Sequence, residues 1–346
     1  MTLEPSEDLA ANATTRRAER LMAEAMTVID TARSHHAHLR LTGGLAVRRY
    51  ATDLAFVDRE FSDIDLIGLS GETARLRRTF EELGYEENHY VAQATGGAQL
   101  QYLTRTQPLE HARMLERPQP LEPANVASNA DHVDVFLDAM RMDHDVDARG
   151  RLTLDPYAIS PADVLLTKLQ IGQIAAKDLH DIIALLKDVP LGDRDGNASI
   201  NASRLARACA RDWGLFHDVV ANLELVASGL GDFSFRDEEK ALVAMRLAAL
   251  REAISSEDKS LRWRLRARAG TRLPWRREVE DRDGSLLIVR APTVGKRTVL
   301  SCIDCTYTLR ISTQLAYLPA SPLACPRCGS VDLQLEPPET KEPAAA

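Results

Sequence analysis

Asp63 and Asp65, two positions apart in FSDIDLIGL, are a pair whose type and spacing could do chemistry. Residues i and i+2 of a strand project from one face, so the pair would present two carboxylates together. A third acid, Asp134 in HVDVFLD, could be set beside them by sheet pairing. Clustered carboxylates repel one another unless cations lie between them, and Mg²⁺ takes oxygen ligands from a few carboxylates and from substrate phosphates. The chemistry of such a site is metal-assisted phosphoryl displacement. The alternative is a solvated strand face, the ordinary fate of an isolated Asp-x-Asp. Gly43-Gly44 weighs against it, because the pair lies between a strand and a helix nineteen residues before Asp63. Two glycines let backbone approach phosphate closely, and the N-terminus of the following helix offers unpaired N–H donors to an anion.

The positioning elements follow from residue pattern. LRLTGGLAVRRYA reads as a short strand, a glycine turn and a short helix, and FSDIDLIGL as a strand. Residues 1–14 read as a disordered leader, ahead of an amphipathic helix from Arg17 to Ala32. A helix from Glu72 to Leu83 ends at Gly84, QLQYLTR is a strand, and the Pro-bearing stretch from Gln107 to Ala130 is a long loop or lid. In residues 132–138 a period of two places Val133, Val135 and Leu137 on one face, with His132, Asp134, Phe136 and Asp138 on the other. His132 therefore shares the Asp134 face, as a supporting group.

Ser160-Pro161-Ala162-Asp163 combines a Ser N-cap, Pro at the first helical position and an acid at the third, so a helix should start there and continue to about Asp188. It carries Lys168, which could neutralise a triphosphate, and Lys177-Asp178-Leu179-His180-Asp181. Asp178 and Asp181 share a helical face, and Lys177 with Asp181 forms an i,i+4 pair worth about 0.2–0.5 kcal/mol. A surface helix with routine charge pairs is the alternative. Ten residues separate Lys168 from Asp178, too many for alignment on an unbroken helix, although Gly172 allows a bend.

TGGLAV, REFSDIDL, HVDVF, Lys168 and the K-D-x-x-D segment together resemble the nucleotidyltransferase superfamily of DNA polymerase beta type, nearest its AbiEii-like branch of type IV toxins. The resemblance spans roughly residues 20–190. It implies a fold of the α+β class: a small mixed sheet flanked by helices, followed by helices. It further implies that Gly43 and Gly44 hold a triphosphate, that Asp63, Asp65 and Asp134 ligate Mg²⁺, and that Arg59 binds nucleotide. Lys168, Lys177, Asp178 and Asp181 match that branch's helix motifs. Two positions depart from its pattern. Phe61 stands where a hydroxyl residue is usual, with Ser62 as a neighbouring hydroxyl that would point to the other face of a strand. Lys177 replaces Arg, which loses bidentate geometry.

Beyond the linker-like PLGDRDGNAS (190–199), helical patterns at 203–229 and 237–255 suggest a helical domain. Cys302-x-x-Cys305 and Cys325-x-x-Cys328, nineteen residues apart, have the spacing of a four-thiolate zinc ribbon, which would be structural because no coordination position stays open. Reduced pairs or disulfides are the alternative. Cys209, with Leu205 and Trp213 on an apolar face, reads as core. Seven arginines in residues 262–277, with Trp263 and Trp275 among them, suit either phosphate contact and base stacking or a solvated face. The domains so defined are 15–189 (transferase), 200–278 (helical) and 285–335 (zinc ribbon), with 336–346 a polar tail.

The composition is that of a soluble globular chain: 45% hydrophobic residues and net charge -8. No apolar stretch approaches membrane length, so a cytoplasmic protein is expected. No P-loop or G-x-S-x-G elbow is present. The sequence thus points to an enzyme that moves a nucleoside monophosphate from an NTP to an acceptor hydroxyl of RNA, protein or a small molecule. An antitoxin is a further possible partner. The rival reading is a non-catalytic zinc-ribbon protein that binds nucleic acid or acts as a scaffold on a degenerate transferase fold.

Overall fold

The computed structural model describes residues 7–54, 56–57, 61–104 and 132–277, together with the backbone of five short strands beyond them. Helix α1 (Glu7–Ser34) leads into β1 (Leu39–Leu41), α2 (Gly43–Tyr50) and β2 (Ile64–Gly68). α1 starts inside the segment read as a leader. α3 (Thr73–Glu82), β3 (Tyr85–Glu87), α4 (His89–Ala94), β4 (Gln99–Thr104) and β5 (Val133–Leu137) complete a mixed five-stranded sheet of order β1-β2-β5-β4-β3. Only β2 and β5 run parallel, and their register sets Asp65 directly opposite Asp134. All five residues of β5 are buried, including Asp134 at 6% exposure, so both faces of the strand are covered. The stretch expected to be a long loop or lid lies, from 105 to 131, outside the described residues.

The hairpin β6 (Ala139–Arg141) and β7 (Asp145–Asp147) precedes α5 (Pro161–Leu169) and α6 (Ala176–Asp188). α5 starts as its sequence implies: the Ser160 hydroxyl accepts the Asp163 N–H at 3.3 Å, and Pro161 occupies the first turn. Asp163 is buried and held by Arg151 (2.7 Å) and Arg204 (2.8 Å). The continuous helix expected from 161 to 188 is instead two helices, broken between Leu169 and Ala176. The short pair β8 (Leu191–Gly192) and β9 (Ile200–Asn201) then leads to α7 (Ala202–Arg211), α8 (Trp213–Gly229), α9 (Asp237–Ser256) and α10 (Leu261–Ala269). The helix expected over 203–229 is likewise two, because the Asp212 side chain leaves the first to cap the second, accepting from Gly214 N (2.7 Å) and Leu215 N (3.2 Å).

One hydrophobic core runs from Ala18 on α1 through the sheet to Ile254 on α9. Leu205, Cys209, Leu215 and Leu247 belong to it alongside Ile64, Val135 and Leu165. Everything to Val279, apart from residues 109–117, clusters as one compact unit, and residues from Glu280 onward belong to a second. Described in that second unit are β10 (Val279–Glu280, at the boundary), β11 (Ile288–Val289), β12 (Arg297–Cys302), β13 (Thr308–Ser312) and β14 (Leu333–Leu335). The last three form an antiparallel sheet of order β13-β12-β14. Among the described residues no helix is long and apolar enough to cross a membrane.

Candidate functional site

The Gly43 turn and strand β2 meet at one point. Gly43 opens α2 with φ of +64°, in the left-handed region that favours glycine. A Cβ at this position would come 2.1 Å from Asp65 Oδ2. The absent side chain is thus what lets the start of α2 approach the β2 carboxylate. Thr42 N donates to the Asp65 carbonyl at 3.0 Å, which ties the turn to the strand. The result is an open cleft of about 400 Å³, solvent at its mouth included, lined by Gly44, Leu45, Phe61, Asp63, Asp65, Lys168 and Lys177. These residues come from four separate stretches of sequence, and all but Leu45 are residues that the sequence pattern singles out.

Asp63 sits just before β2 and is about one-third exposed. The Ser62 hydroxyl donates to its Oδ1 at 3.3 Å. Ser62 does not point away as it would on a strand, because β2 begins only at Ile64. Asp65 keeps an edge open to the cleft, yet its carboxyl is pushed up to about 7 by desolvation, then by the neighbouring Asp63 and Asp134 charges; Lys168 and His132 act the other way. No hydrogen bond from a described residue offsets that crowding.

Asp134, beside Asp65 in register, is not among the cleft-lining residues. It accepts from Gln101 Nε2 at 3.1 Å and lies 3.3 Å from His132 Nε2, which is also 3.7 Å from Asp63 Oδ2. Burial opposes the charge on His132, but the hydrogen bond to Asp134 and the Asp134, Asp63 and Asp65 charges outweigh it and lift the imidazole to about 9. His132 thus lies among three acids whose charges favour its protonated form, a larger part than its sequence position suggested. Gln101 was not anticipated, although its alternation with Gln99 on β4 marks a polar face buried beside β5.

The helix motif is joined differently from its sequence reading. Lys168 Nζ lies 2.8 Å from both Asp178 Oδ1 and Asp181 Oδ2, and these two charges hold the buried ammonium well above its ordinary value against the opposing effect of burial. The break between α5 and α6 folds the second helix back against the first, which removes the ten-residue mismatch. Asp181 thus serves Lys168 rather than depending on the i,i+4 pair with Lys177. Lys177 is exposed at the cleft without a carboxylate partner among the described residues.

Arg59 lies outside the described residues, as do Cys305, Cys325 and Cys328. Cys302 ends β12, and nothing is described of its side chain. Cys209 is buried, its thiol pushed up to about 12 by burial. Among the described residues no group of three or more His, Cys, Asp or Glu side chains is arranged to hold a metal ion by itself. Asp63 and Asp65, open on the cleft with Asp134 beside them, could supply oxygen ligands to a hard cation that draws its remaining ligands from solvent and phosphate.

No protein-family model matches the chain, and no curated protein matches it.

Proposed function

We propose that the protein is an Mg²⁺-dependent nucleotidyltransferase, transferring a nucleoside monophosphate from an NTP to an acceptor hydroxyl with release of pyrophosphate. The observation that carries this reading is the contact between Gly43 and Asp65, which sets an anion-binding turn against a crowded carboxylate in one cleft. The first-turn N–H groups of α2, at Gly44 and Leu45, suit phosphate oxygens, since the opening N–H groups of a helix have no partner within it. Asp63, Asp65 and Asp134 would hold Mg²⁺, which when bound supplies charge neutralisation and polarisation of the phosphate under attack.

Asp134 is the candidate acceptor of the hydroxyl proton, with Gln101 and His132 fixing its orientation. Lys177, exposed at the cleft and without an acidic partner among the described residues, would be available to the triphosphate. Lys168 is held at the cleft wall as a fixed positive charge by Asp178 and Asp181, of the kind that stabilises developing phosphate charge without reorganisation. The branch-specific features, an antitoxin partner and an RNA acceptor included, belong to the same proposal, as does a structural Zn²⁺ on Cys302, Cys305, Cys325 and Cys328. Asp63→Ala combined with Asp65→Ala should abolish pyrophosphate release from labelled NTP while the circular dichroism spectrum stays that of the wild type. Retained release in the folded variant would sink the assignment and favour the non-catalytic scaffold.

A further inference from the structure

The turn between α5 and α6 decides where Lys168 meets Asp178 and Asp181, yet it makes few bonds of its own. Gln170, which closes α5, is fully buried with neither amide atom bonded to a described residue. The contacts that fix the turn come from other parts of the chain. Asn222 on α8 donates its amide to the carbonyls of Leu169 (2.9 Å) and Ile171 (2.7 Å). Asp143, in the β6–β7 turn, accepts the Gly172 N–H at 2.5 Å. The Arg276 guanidinium packs against Gly172, so closely that a Cβ on Gly172 would lie 2.1 Å from Arg276 Nη1.

Arg276 is itself anchored. It pairs with Asp218 at 3.5 Å and lies over the Trp275 ring, 5.2 Å from its centroid. Asp218, on α8, also accepts from Trp275 Nε1 (3.0 Å), His144 Nε2 (2.8 Å) and His217 Nδ1 (3.0 Å). Next along, Arg277 donates its backbone N–H to the Asp143 carbonyl at 3.0 Å and its guanidinium to the Met142 carbonyl at 2.8 Å. The arginine-rich segment thus divides by role. Arg262, Arg264, Arg268 and Arg272 are exposed, whereas Trp263 turns inward to donate to the Cys209 carbonyl at 3.0 Å, and Trp275 to Arg277 close over the Gly172 turn.

Resting on the transferase reading, we propose that Trp275 to Arg277 form a strap across the Gly172 turn and that Arg276 is a positioning residue for the reaction. It touches no reacting atom. By fixing the turn it fixes both ends that carry the phosphate-facing cations, Lys168 at the close of α5 and Lys177 at the start of α6. A displacement of about 1 Å at such groups is enough to slow a transfer step severely, because the reacting geometry tolerates little error.

Gly172 and Arg276 can be tested as a cycle. Gly172→Ala displaces the flexible end of Arg276 rather than backbone, and Arg276→Ala removes it, so both variants should fold. Each single variant is expected to lower kcat roughly tenfold while KM for NTP stays within about twofold, and the double variant to fall no further, since the same contact is lost twice. A purely packing role would lower Tm and leave kcat of the folded fraction unchanged. Wild-type kcat in both single variants, or losses that multiply to roughly a hundredfold in the double, would overturn the strap. Amide hydrogen exchange gives a readout independent of activity: Gly172 and residues 176–178 should exchange faster in Arg276→Ala. If the wild type transfers nothing, the transferase reading fails, and unchanged exchange would then overturn the strap separately.

Discussion

Asp65 and Asp218 are both carboxylates enclosed by protein, and the fold treats them in opposite ways. Asp218 takes hydrogen bonds from two histidines and a tryptophan and faces an arginine; burial alone would raise its carboxyl, but these partners hold it at about 2. Asp65 receives no such donors among the described residues and faces two other acids, and burial, with those acids, pushes it up to about 7. A buried charge is ordinarily paired or hydrogen-bonded. Asp218 obeys that rule and ties β6–β7, α8 and the post-α10 strap together. Asp65 breaks it where the chain gives up a side chain, at Gly43, and so keeps the approach open. Local conflict concentrated at a cleft marks function, and local agreement marks structure.

The contrast can be broken from either side. Asp65→Asn should reduce nucleotidyl transfer by about 10³-fold or more, of the order expected when a group stabilising transition-state charge is removed, without loss of thermal stability. In the wild type, Mg²⁺ with NTP should raise Tm in a concentration-dependent way, since a ligand that binds only the folded state stabilises it. The variant should show no such rise. Asp218→Asn should do the reverse, lowering stability by about 2–3 kcal/mol in urea unfolding because buried donors lose their ionised acceptor.

The pH dependence of that second effect has a fixed sign. Asp218 has a folded value below the unfolded value of 3.8, so its contribution is present above about pH 4 and is lost as pH falls towards 2. The stability gap between wild type and Asp218→Asn should therefore be flat near neutrality and close in that acid window. Gly43→Ala should have a smaller effect on stability, about 1–2 kcal/mol for a side chain forced to positive φ. It should also displace Asp65 and weaken transfer, measured as kcat/KM in the folded variant.

Much of the sheet was legible because its strands carry short, strong patterns. HVDVF became β5, IDLIG became β2, and the Gly-Gly turn opens α2 as its spacing implied. The pairing of Asp65 with Asp134 was also legible, since each lies on a strand rich in β-branched residues. The break at 170–175 was legible only as a bend that Gly172 allows, and the one at 212 was not legible, because hydrophobic periodicity runs through both. Gly172 and Asp212, read locally, are each tolerable within a helix, and hydrogen bonds from Asn222 and to Asp143, with the close packing of Arg276, decide the first break. The partnership of Lys168 with Asp178 and Asp181 depends on that break, so spacing alone could not supply it. The two tryptophans of the arginine stripe read equally well as stacking platforms, and only their inward hydrogen bonds to Cys209 and Asp218 assign them to structure.

The most direct measurement incubates the purified protein with each NTP labelled at the α-phosphorus, with Mg²⁺, and with cellular RNA, protein and metabolite fractions in turn. Label should enter one fraction from one or more of the nucleotides, with pyrophosphate released in equal amount, and should vanish with Asp65→Asn. Absence of label from every fraction with all four NTPs, or labelling undiminished in Asp65→Asn, would contradict the account.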